Sequence, residues 1–327
     1  MTKYLIFRTD RIGDIIFSRV ITDAIKKNDT KSTIDFVCSE YNFNYIKNYK
    51  DIKNIYILKK NNFFILVKLL FTINKNKYDK LIILDGKRRS IFFSIFTNAK
   101  KKYVLLKSFR SKFILNFFFD KYFVNSEVNS QFQNFTTLIN YFNFKIPKKI
   151  NYYNRYSFNN YNNKVINKKF SLLHLDEKWF EGYYYNDFNF MNLNHQNFNL
   201  LIKSIFNKKN IDLIITTGSV PIHQLNLIKN VHFNKINKNL YISKKFGKKL
   251  IIIENTSFRD LENIVKRSKL LICCEGAISH VSNSFDIKTI ALVQDLKFGS
   301  FWTAHMNNIK LIPRSNIKNI CNLINKI

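Results

Sequence analysis

Glycine is scarce in this chain, with seven in 327 residues, and four of the seven follow short apolar runs. The runs and their glycines are Tyr4–Phe7 with Gly13, Leu81–Leu84 with Gly86, Leu213–Ile215 with Gly218, and Leu270–Cys273 with Gly276. Short apolar runs bounded by turn residues are typical of strands buried on both faces of a parallel sheet. Because such sheets bind ligands beyond the carboxyl ends of their strands, the glycine loops are the first candidate sites.

Amphipathic helical patterns lie between the apolar runs. Apolar residues from Phe17 to Ile25 stand at i, i+3, i+4, i+7 and i+8, which predicts a helix after the first run. The same spacing recurs from Phe198 to Phe206, directly before the third run. Ser257, followed by Asp260 three residues later, indicates a helix start before the fourth run. Strands and helices therefore alternate, which predicts an α/β fold with parallel sheets.

The length predicts two domains. A chain of 327 residues is about twice as long as a typical domain. Residues 148–169 are rich in Asn, Tyr and Lys and show no periodicity, which indicates an interdomain linker. We therefore expect an N-terminal domain over residues 1–155, a C-terminal domain over residues 156–327, and a site in a cleft between them.

The charge balance is strongly positive, since 54 Lys and Arg against 22 Asp and Glu give a net charge of +32. Such an excess favours anionic partners, namely nucleic acid, phosphate-bearing ligands or an anionic membrane. Over-use of Lys, Asn, Ile, Phe and Tyr through codon composition would produce the same charge without any function. With 46% hydrophobic residues the chain can bury a core, which excludes global disorder.

The apolar segments favour a cytoplasmic protein. No run reaches the ~18 residues that a membrane-spanning helix needs, and the N-terminus lacks the pattern of a signal peptide. The segment Phe113–Phe119 can be core or a membrane-facing surface, and we expect core. The four cysteines form no Cys-x-x-Cys, so we expect reduced core residues and neither disulfides nor a zinc site: Cys38, Cys273, Cys274 and Cys321.

The first candidate motif is Arg8-Thr-Asp-Arg-Ile-Gly-Asp14, between the first strand and its helix. Carboxylates are common near helix N-termini, where the helix dipole favours them, so Asp14 can be purely structural. Beside Arg8 and Arg11 at the mouth of a cleft, the same carboxylate can act as a general base.

Two further motifs follow strands of the second domain. Lys178 lies in His174-Leu-Asp-Glu-Lys-Trp179, where it is either a surface lysine beside a core tryptophan or a cation that meets a phosphate. Glu275-Gly-Ala-Ile-Ser-His280 places small residues at a helix start, which favours a phosphate cradle. A histidine at position 280 can equally be a buried core or capping residue.

Together these segments resemble the family 9 glycosyltransferases, the lipopolysaccharide heptosyltransferase family. The segment Tyr78–Gly86, with the basic residues after it, is similar to a second recurring segment of that family. Residues 275–280 line up with its Asp-Ser/Gly-Gly-x-x-His loop, but Glu275 stands where the family usually has Asp, and Ala277 where it usually has Gly. The turn Thr216–Ser219 is similar to another donor-side loop of the family.

The resemblance implies a GT-B fold, in which two Rossmann-like domains with parallel sheets face a central cleft. It implies inverting transfer of a sugar, heptose in this family, from a nucleoside diphosphate to a hydroxyl of a cell-surface glycan or glycolipid. By that resemblance the catalytic base is Asp14. The donor is bound by Lys178, Glu275, Gly276, Ala277, His280, Thr217 and Gly218, and the acceptor by Arg11, Gly13, Lys87 and Arg88.

The resemblance also implies a set of partners. The donor would be a nucleotide-sugar such as ADP-heptose, and no metal or other cofactor is expected, in agreement with the lack of any Asp-x-Asp in the sequence. An anionic glycolipid acceptor would place the protein peripherally on the cytoplasmic face of the inner membrane.

Two other functional classes stay open. A catalytically silent relative would keep the fold as a binding or scaffold protein, because fold does not imply function. A nucleic-acid-binding protein would explain the charge and the aromatic content. The basic residues are spread along the whole chain and form no known nucleic-acid motif, so we expect no nucleic acid partner.

Overall fold

The computed structural model describes residues 1–47, 49–59, 63–106, 112–153, 169–180 and 192–327. Most of the predicted linker, residues 154–168, lies outside the described residues. The chain divides into two compact units, Met1–Tyr156 and Ser157–Ile327. Each unit is built on its own sheet, and both sheets belong to an α/β fold.

The first unit has a six-stranded sheet in the order β3-β2-β1-β4-β5-β6, with every pair parallel. The strands are β1 (Lys3–Phe7), β2 (Thr33–Cys38), β3 (Asn54–Ile57), β4 (Tyr78–Ile83), β5 (Ala99–Leu106) and β6 (Lys121–Val124). The helices are α1 (Ile12–Phe17), α2 (Arg19–Asn28), α3 (Glu40–Ile46), α4 (Phe63–Asn74), α5 (Arg88–Ile95), α6 (Lys112–Phe118) and α7 (Gln131–Tyr141). The strand order changes direction between β1 and β4, which creates a switch point there.

The helix predicted from Phe17 to Ile25 is divided into two helices. α1 ends at Phe17 and α2 begins at Arg19, with Ser18 between them. The Ser18 hydroxyl donates a 3.0 Å hydrogen bond to the Asp14 carbonyl, a local side-chain contact that competes with a regular helix. The predicted apolar face is nevertheless buried through both helices.

The second unit has an eight-stranded sheet in the order β14-β13-β12-β7-β8-β11-β10-β9. The strands are β7 (Phe170–Leu175), β8 (Asp212–Thr217), β9 (Asn234–Asn237), β10 (Leu240–Lys245), β11 (Lys248–Ile253), β12 (Ser268–Cys274), β13 (Lys288–Val293) and β14 (Ile309–Pro313). The helices are α8 (His195–Lys208), α9 (His223–His232), α10 (Phe258–Arg267), α11 (Ala277–Ser284), α12 (Leu296–Thr303) and α13 (Ile317–Lys326). The switch point of this sheet lies between β7 and β12.

The expectation of purely parallel sheets is corrected in the second unit. Six strands are parallel, but β10 pairs antiparallel with both β11 and β9 at one edge. Phe246 and Gly247 have φ values of 51° and 72° and form the two-residue turn between β10 and β11, as a tight hairpin requires. β9 is exposed along its whole length, so it carries no apolar pattern that sequence analysis could detect.

Both cores follow the predicted strands. Trp179 is fully buried among β7, α8 and the neighbouring strands of the second unit. All four cysteines are buried and free. The expectation that Phe113–Phe119 is core holds for Leu115 and Phe119, whereas Phe117 and Phe118 are exposed. Among the described residues, no helix is both long and apolar enough to cross a bilayer.

Gly299 in α12 provides a test of packing in the second unit. A Cβ at this position would lie 2.5 Å from Val293 Cγ1 and 3.2 Å from Leu311 Cδ1, both on the underlying sheet. We expect Gly299→Ala to lower the free energy of unfolding by about 1–3 kcal/mol, because overpacking outweighs the better helix propensity of alanine. Urea denaturation measures the change. Gly218→Ala is the control, since its Cβ would meet nothing within 4 Å, and an equal loss in both variants would contradict the prediction.

Candidate active site

The predicted motifs lie at the two switch points. In the first unit, Arg8–Asp14 follows β1 and residues 84–89 follow β4, which is its neighbour in the sheet. In the second unit, residues 176–180 follow β7 and residues 275–280 follow the neighbouring strand β12. Loops that leave a switch point diverge to opposite faces of the sheet and leave space for a ligand. Each unit therefore has its own candidate cluster.

A buried arginine organises the cluster of the first unit. The Arg8 guanidinium is 3% exposed, and its Nη2 lies 2.7 Å from Asp14 Oδ1. Its Nη1 donates to the carbonyl of Leu84, and its Nε lies 3.5 Å from Asp10 Oδ2. Arg8 therefore joins the ends of β1 and β4 and fixes two carboxylates beside each other.

The two carboxylates are in different environments. The Asp10 side chain is 6% exposed, and its Oδ1 lies 2.5 Å from the Lys87 ammonium. The Asp14 side chain is 24% exposed, and its second oxygen, Oδ2, accepts a long 3.3 Å hydrogen bond from the Arg11 amide. Oδ2 of Asp14 therefore keeps the capacity to take a proton from a molecule in solution, whereas Asp10 is held by two cations.

Asp85 is a further member of the cluster, which the sequence analysis did not single out. It is fully buried and accepts four hydrogen bonds: from the Thr9 amide at 3.0 Å, the Thr9 hydroxyl at 2.7 Å, the Lys87 amide at 3.0 Å and the Ser90 hydroxyl at 2.8 Å. A buried carboxylate needs such donors to offset its desolvation. Asp85 thereby fixes the loop after β1 to the loop after β4.

The other predicted residues of the first unit lie around this cluster. Arg11 is the exposed N-cap of α1, and Gly13 lies in the first turn of that helix. Lys87 is half-buried, and its ammonium donates a 3.3 Å hydrogen bond to the Thr9 carbonyl besides its contact with Asp10. Arg88 is exposed at the first position of α5. The structure thus gives Lys87 a structural contact and leaves Arg11 and Arg88 at the surface.

A lysine organises the cluster of the second unit. The Lys178 ammonium donates a 2.8 Å hydrogen bond to the Glu275 carbonyl and so connects the turn after β7 to the loop after β12. Burial would lower the pKa of Lys178, but the carboxylates of Asp176 and Glu275 outweigh burial, and the pKa lies above its usual value. Lys178 therefore stays charged at neutral pH.

The position of the Lys178 ammonium requires a glycine at residue 276. A Cβ at Gly276 would lie 2.5 Å from Lys178 Nζ, so any other residue would displace the lysine. The helix α11 begins at the next residue, Ala277, whose backbone is helical and has no positive φ. Alanine therefore fits where the family usually has glycine. A cation at the N-terminal end of a helix adds to the positive end of the helix dipole, an arrangement that favours an anion.

His280 lies on the inner side of α11. Its ring is buried and stacks on the His305 ring, with centroids 5.9 Å apart. Burial, with smaller contributions from His305 and Lys178, holds the pKa of His280 well below its usual value. His280 is therefore neutral at neutral pH, and its environment is that of a core histidine rather than of a cation that meets a phosphate.

Two residues near Lys178 were missed by the sequence analysis. Asp176 precedes it by two positions, and its Oδ1 is a buried acceptor with no hydrogen-bond donor in the described part of the chain. Burial raises the pKa of Asp176, although Lys178 and Arg314 oppose the rise. Arg314 follows β14 and contributes positive charge to both residues. The motif around Lys178 could not indicate Arg314, because Arg314 follows a strand about 135 residues later in the chain.

The loop after β8 lies one strand away from the lysine turn. The Thr217 hydroxyl accepts a 3.1 Å hydrogen bond from the Asn255 amide, and its carbonyl accepts a 2.9 Å bond from Thr256. Thr217 therefore fixes the loop that follows β11. Gly218 comes next and is partly exposed, and a Cβ there would have open space.

One cavity lies at the opposite edge of the second sheet. It has a volume of about 300 Å³ and is lined by residues at the amino ends of β12, β13 and β14, with Lys208, Lys288 and Lys310 among them. Ligands of parallel sheets bind at the carboxyl ends, so we do not assign the candidate site to this cavity. Among the residues that the structure describes, no group of three or more His, Cys, Asp or Glu could hold a metal ion.

Comparisons with known proteins define the fold. No family model matches the sequence, and no curated protein matches it. Among solved structures, the chain is similar to the E. coli heptosyltransferase WaaC with ADP, at 11% identity over 99% of both chains and a TM-score of 0.70. It is also similar to a family 9 glycosyl transferase from Veillonella parvula, at 11% identity over 100% of this chain and 90% of that one, with a TM-score of 0.67.

The chain has the fold of the family 9 heptosyltransferases. This confirms the predicted α/β fold of the GT-B class. A UDP-GlcNAc 2-epimerase from Methanocaldococcus jannaschii is similar as well, at 15% identity over 100% of this chain and 92% of that one, with a TM-score of 0.56. Because enzymes with different reactions share this architecture, the reaction must be argued from the residues of the two clusters.

Buried histidines of the second unit predict a pH-dependent stability. His174 bonds the Thr216 hydroxyl at 3.0 Å, and burial, aided by Lys178, lowers its pKa to about 4. Because the unfolded histidine has a pKa of about 6.5, the stability is present above pH ~6.5 and is lost progressively as the pH falls toward 4. At pH 5 the loss amounts to about 2 kcal/mol per such histidine.

Urea denaturation of His174→Asn at pH 7 and pH 5 checks this prediction. The loss of stability between the two pH values should be smaller by about 2 kcal/mol in the variant than in the wild type. His305→Asn is a second variant, because burial lowers the pKa of His305 to about 4 as well. The exposed His223→Gln is the control and should keep the wild-type dependence. Equal dependence in all four proteins would contradict the prediction.

Proposed function

We propose that this chain is an inverting, metal-independent glycosyltransferase. It would move a sugar from a nucleoside-diphosphate donor to a hydroxyl group of a cell-surface glycan or glycolipid. One observation carries the proposal: each switch point holds one half of the chemistry that such a transfer needs. The first unit offers a partly exposed carboxylate, and the second offers a half-buried cation beside a helix N-terminus.

Asp14 is the proposed catalytic base. Its Oδ1 is held by Arg8, so Oδ2 would take the proton of the acceptor hydroxyl. As the proton leaves, the hydroxyl oxygen forms a bond to the anomeric carbon on the face opposite the diphosphate, and the bond from that carbon to the diphosphate breaks. General-base assistance of this kind contributes a factor of about 10²–10⁴ in rate. Asp10 is less suited to this role, because its side chain is buried and forms ion pairs with Arg8 and Lys87.

The second unit is the proposed donor-binding unit. Negative charge grows on the diphosphate as it leaves, and fixed donors are needed to meet that charge. Lys178 and the first amides of α11, near Gly276 and Ala277, would supply them. No residue that the structure describes donates a hydrogen bond to Asp176 Oδ1, and a hydroxyl group of the bound nucleotide-sugar would do so. A lysine in this place supplies the positive charge that other transferases obtain from a metal.

The proposed donor is ADP-heptose. The WaaC structure to which this chain is similar contains ADP, and another structure of that protein contains ADP-2-deoxy-2-fluoro heptose. Arg11 and Arg88, exposed beside the Asp14 cluster, would bind an anionic acceptor. A catalytically silent relative is the second candidate, favoured by Glu275 in place of the family's aspartate. The Glu275 carbonyl, which every residue type has, makes the contact with Lys178, so the replacement leaves this contact in place.

Nucleotide titration tests the donor site. Calorimetry of the protein against ADP, UDP, GDP and CMP, without divalent metal, should show selective binding of a nucleoside diphosphate. We expect Lys178→Ala to weaken that binding by about 10-fold to 100-fold, since a charge-assisted hydrogen bond contributes roughly 1.5–3 kcal/mol. Gly276→Ala should act in the same direction, because its Cβ displaces the Lys178 ammonium.

Lys203→Ala is the control for this titration. Lys203 is exposed on α8, and its replacement should leave the affinity unchanged. Binding that is equally strong in the wild type and in Lys178→Ala would contradict the proposed donor site. Binding of single-stranded nucleic acid with no binding of any nucleotide would favour a nucleic-acid-binding protein instead.

The base is tested separately from the donor site. Asp14→Asn should leave nucleotide affinity unchanged and should lower turnover by about 10²–10⁴, because only the proton acceptor is removed. Turnover is measured as nucleoside diphosphate released from the donor in the presence of glycolipid extracted from the source cells. Glu127→Gln, an exposed carboxylate of the same unit, is the control. Nucleotide binding with no turnover in the wild type would favour the silent relative.

A further inference from the structure

The helix α4 is apolar on its inner side and largely apolar on its outer side. Leu66, Leu69, Leu70 and Ile73 pack against the core of the first unit. Its outer side carries Phe63, Phe64 and Phe71, all largely exposed. A surface helix of a globular protein normally has a polar outer side, so an apolar one indicates contact with an apolar partner. With 12 residues the helix is too short to cross a bilayer.

The neighbouring helices α5 and α6 extend the exposed aromatic surface. Their inner residues belong to the same core cluster as those of α4, so the three helices cover one face of the first sheet. We call their outer aromatic residues the phenylalanine face; each is between 54% and 83% exposed: Phe63, Phe64, Phe71, Phe92, Phe96 and Phe117. Single exposed apolar residues are ordinary, but a set on adjacent helices marks an interaction site.

Hydrogen bonds hold α4 and α5 together at one end. The Asn74 amide donates a 2.9 Å bond to the Phe96 carbonyl, and its Oδ1 accepts a 2.7 Å bond from the Asn98 amide. Phe71 lies one turn before Asn74, so it is next to the end of α5 that carries Phe96. Phe92 and Phe96 are themselves in edge contact, with ring centroids 5.2 Å apart. The aromatic residues of the two helices therefore form one surface.

The charged residues of these three helices all have the same sign. The three helices contain Lys68, Arg88, Arg89 and Lys112 and not one Asp or Glu. Phe64, Lys68 and Phe71 stand at i, i+4 and i+7, so a lysine lies within the exposed aromatic stripe. Helices that lie in a membrane interface combine exposed aromatic residues with lysine and arginine. The lysine stem can extend along the apolar surface while its ammonium stays with the headgroups.

We propose that the phenylalanine face docks the protein onto an anionic lipid bilayer. The aromatic rings would enter the headgroup region, and Lys68 and Arg88 would contact anionic headgroups, each basic residue contributing an attraction that salt weakens. A second copy of the chain fits this surface less well. A symmetric dimer would place the same lysines and arginines against each other, and the three helices supply no carboxylate to pair with them. Docking of this kind does not depend on sugar transfer.

Vesicle binding tests the proposal. The wild type should sediment with vesicles of about one-third phosphatidylglycerol in phosphatidylcholine, and it should bind pure phosphatidylcholine at least about tenfold more weakly. The triple variant Phe64→Ser, Phe71→Ser, Phe92→Ser should lose about tenfold or more of the binding to anionic vesicles, because all three rings are exposed. The double variant Phe246→Ser, Phe298→Ser removes two rings of the second unit that are 58% and 57% exposed, and it should bind as the wild type does.

A spectroscopic measurement locates the contact independently. The fluorescence of Phe71→Trp should be quenched by brominated lipids in anionic vesicles, whereas that of Phe246→Trp should not. The native tryptophans, Trp179 and Trp302, both lie in the second unit. Equal vesicle binding by the triple variant and the wild type, or no quenching at position 71, would overturn the proposal. The proposal would also be overturned if analytical ultracentrifugation showed a dimeric wild type and a monomeric triple variant. The phenylalanine face would then be an interface between two copies of the chain.

Discussion

The reversal of strand order in each parallel sheet is the constraint on which the rest of the structure depends. At a switch point two neighbouring strands send their loops to opposite faces, and the carboxyl ends of the strands are left open. In the first sheet this happens between β1 and β4, and in the second between β7 and β12. In both sheets one basic side chain joins the two ends: Arg8 bonds the Leu84 carbonyl, and Lys178 bonds the Glu275 carbonyl. The two clusters have the same topology and different chemistry.

The chemistry of each cluster follows from what surrounds its basic residue. Arg8 is next to two carboxylates, so the first cluster contains a fixed carboxylate, Asp14, for which we propose the role of proton acceptor. Lys178 is next to a helix N-terminus, so the second cluster has the character of an anion site, although Asp176 and Glu275 supply the opposite charges that keep the lysine ionised. A proton acceptor and an anion site are the two requirements of sugar transfer from a nucleoside diphosphate. The net charge of +32 is not needed for this account, because only a few basic residues take part.

The fold was predictable because its buried strands are short apolar runs, which a sequence displays directly. The same method missed the exposed strand β9 and the break at Ser18, where a polar edge strand and a serine contact leave no periodic signal. Asp85 and Arg314 were missed for a related reason: each acts on a cluster whose other members are distant in sequence. Part of Phe113–Phe119 was wrongly expected in the core, because periodicity cannot distinguish a core residue from an apolar residue that faces a partner.

Photoaffinity labelling with azido-ADP and azido-UDP, followed by mapping of the labelled peptides, tests the central claim most directly. The claim is that the nucleotide is held at the switch point of the second sheet. We expect labels within residues 174–180 or 275–280, and these labels should disappear when unlabelled nucleotide competes. Labels confined to residues 8–14 and 85–89 would contradict the account, as would labels confined to the lysine-lined cavity at Lys208, Lys288 and Lys310.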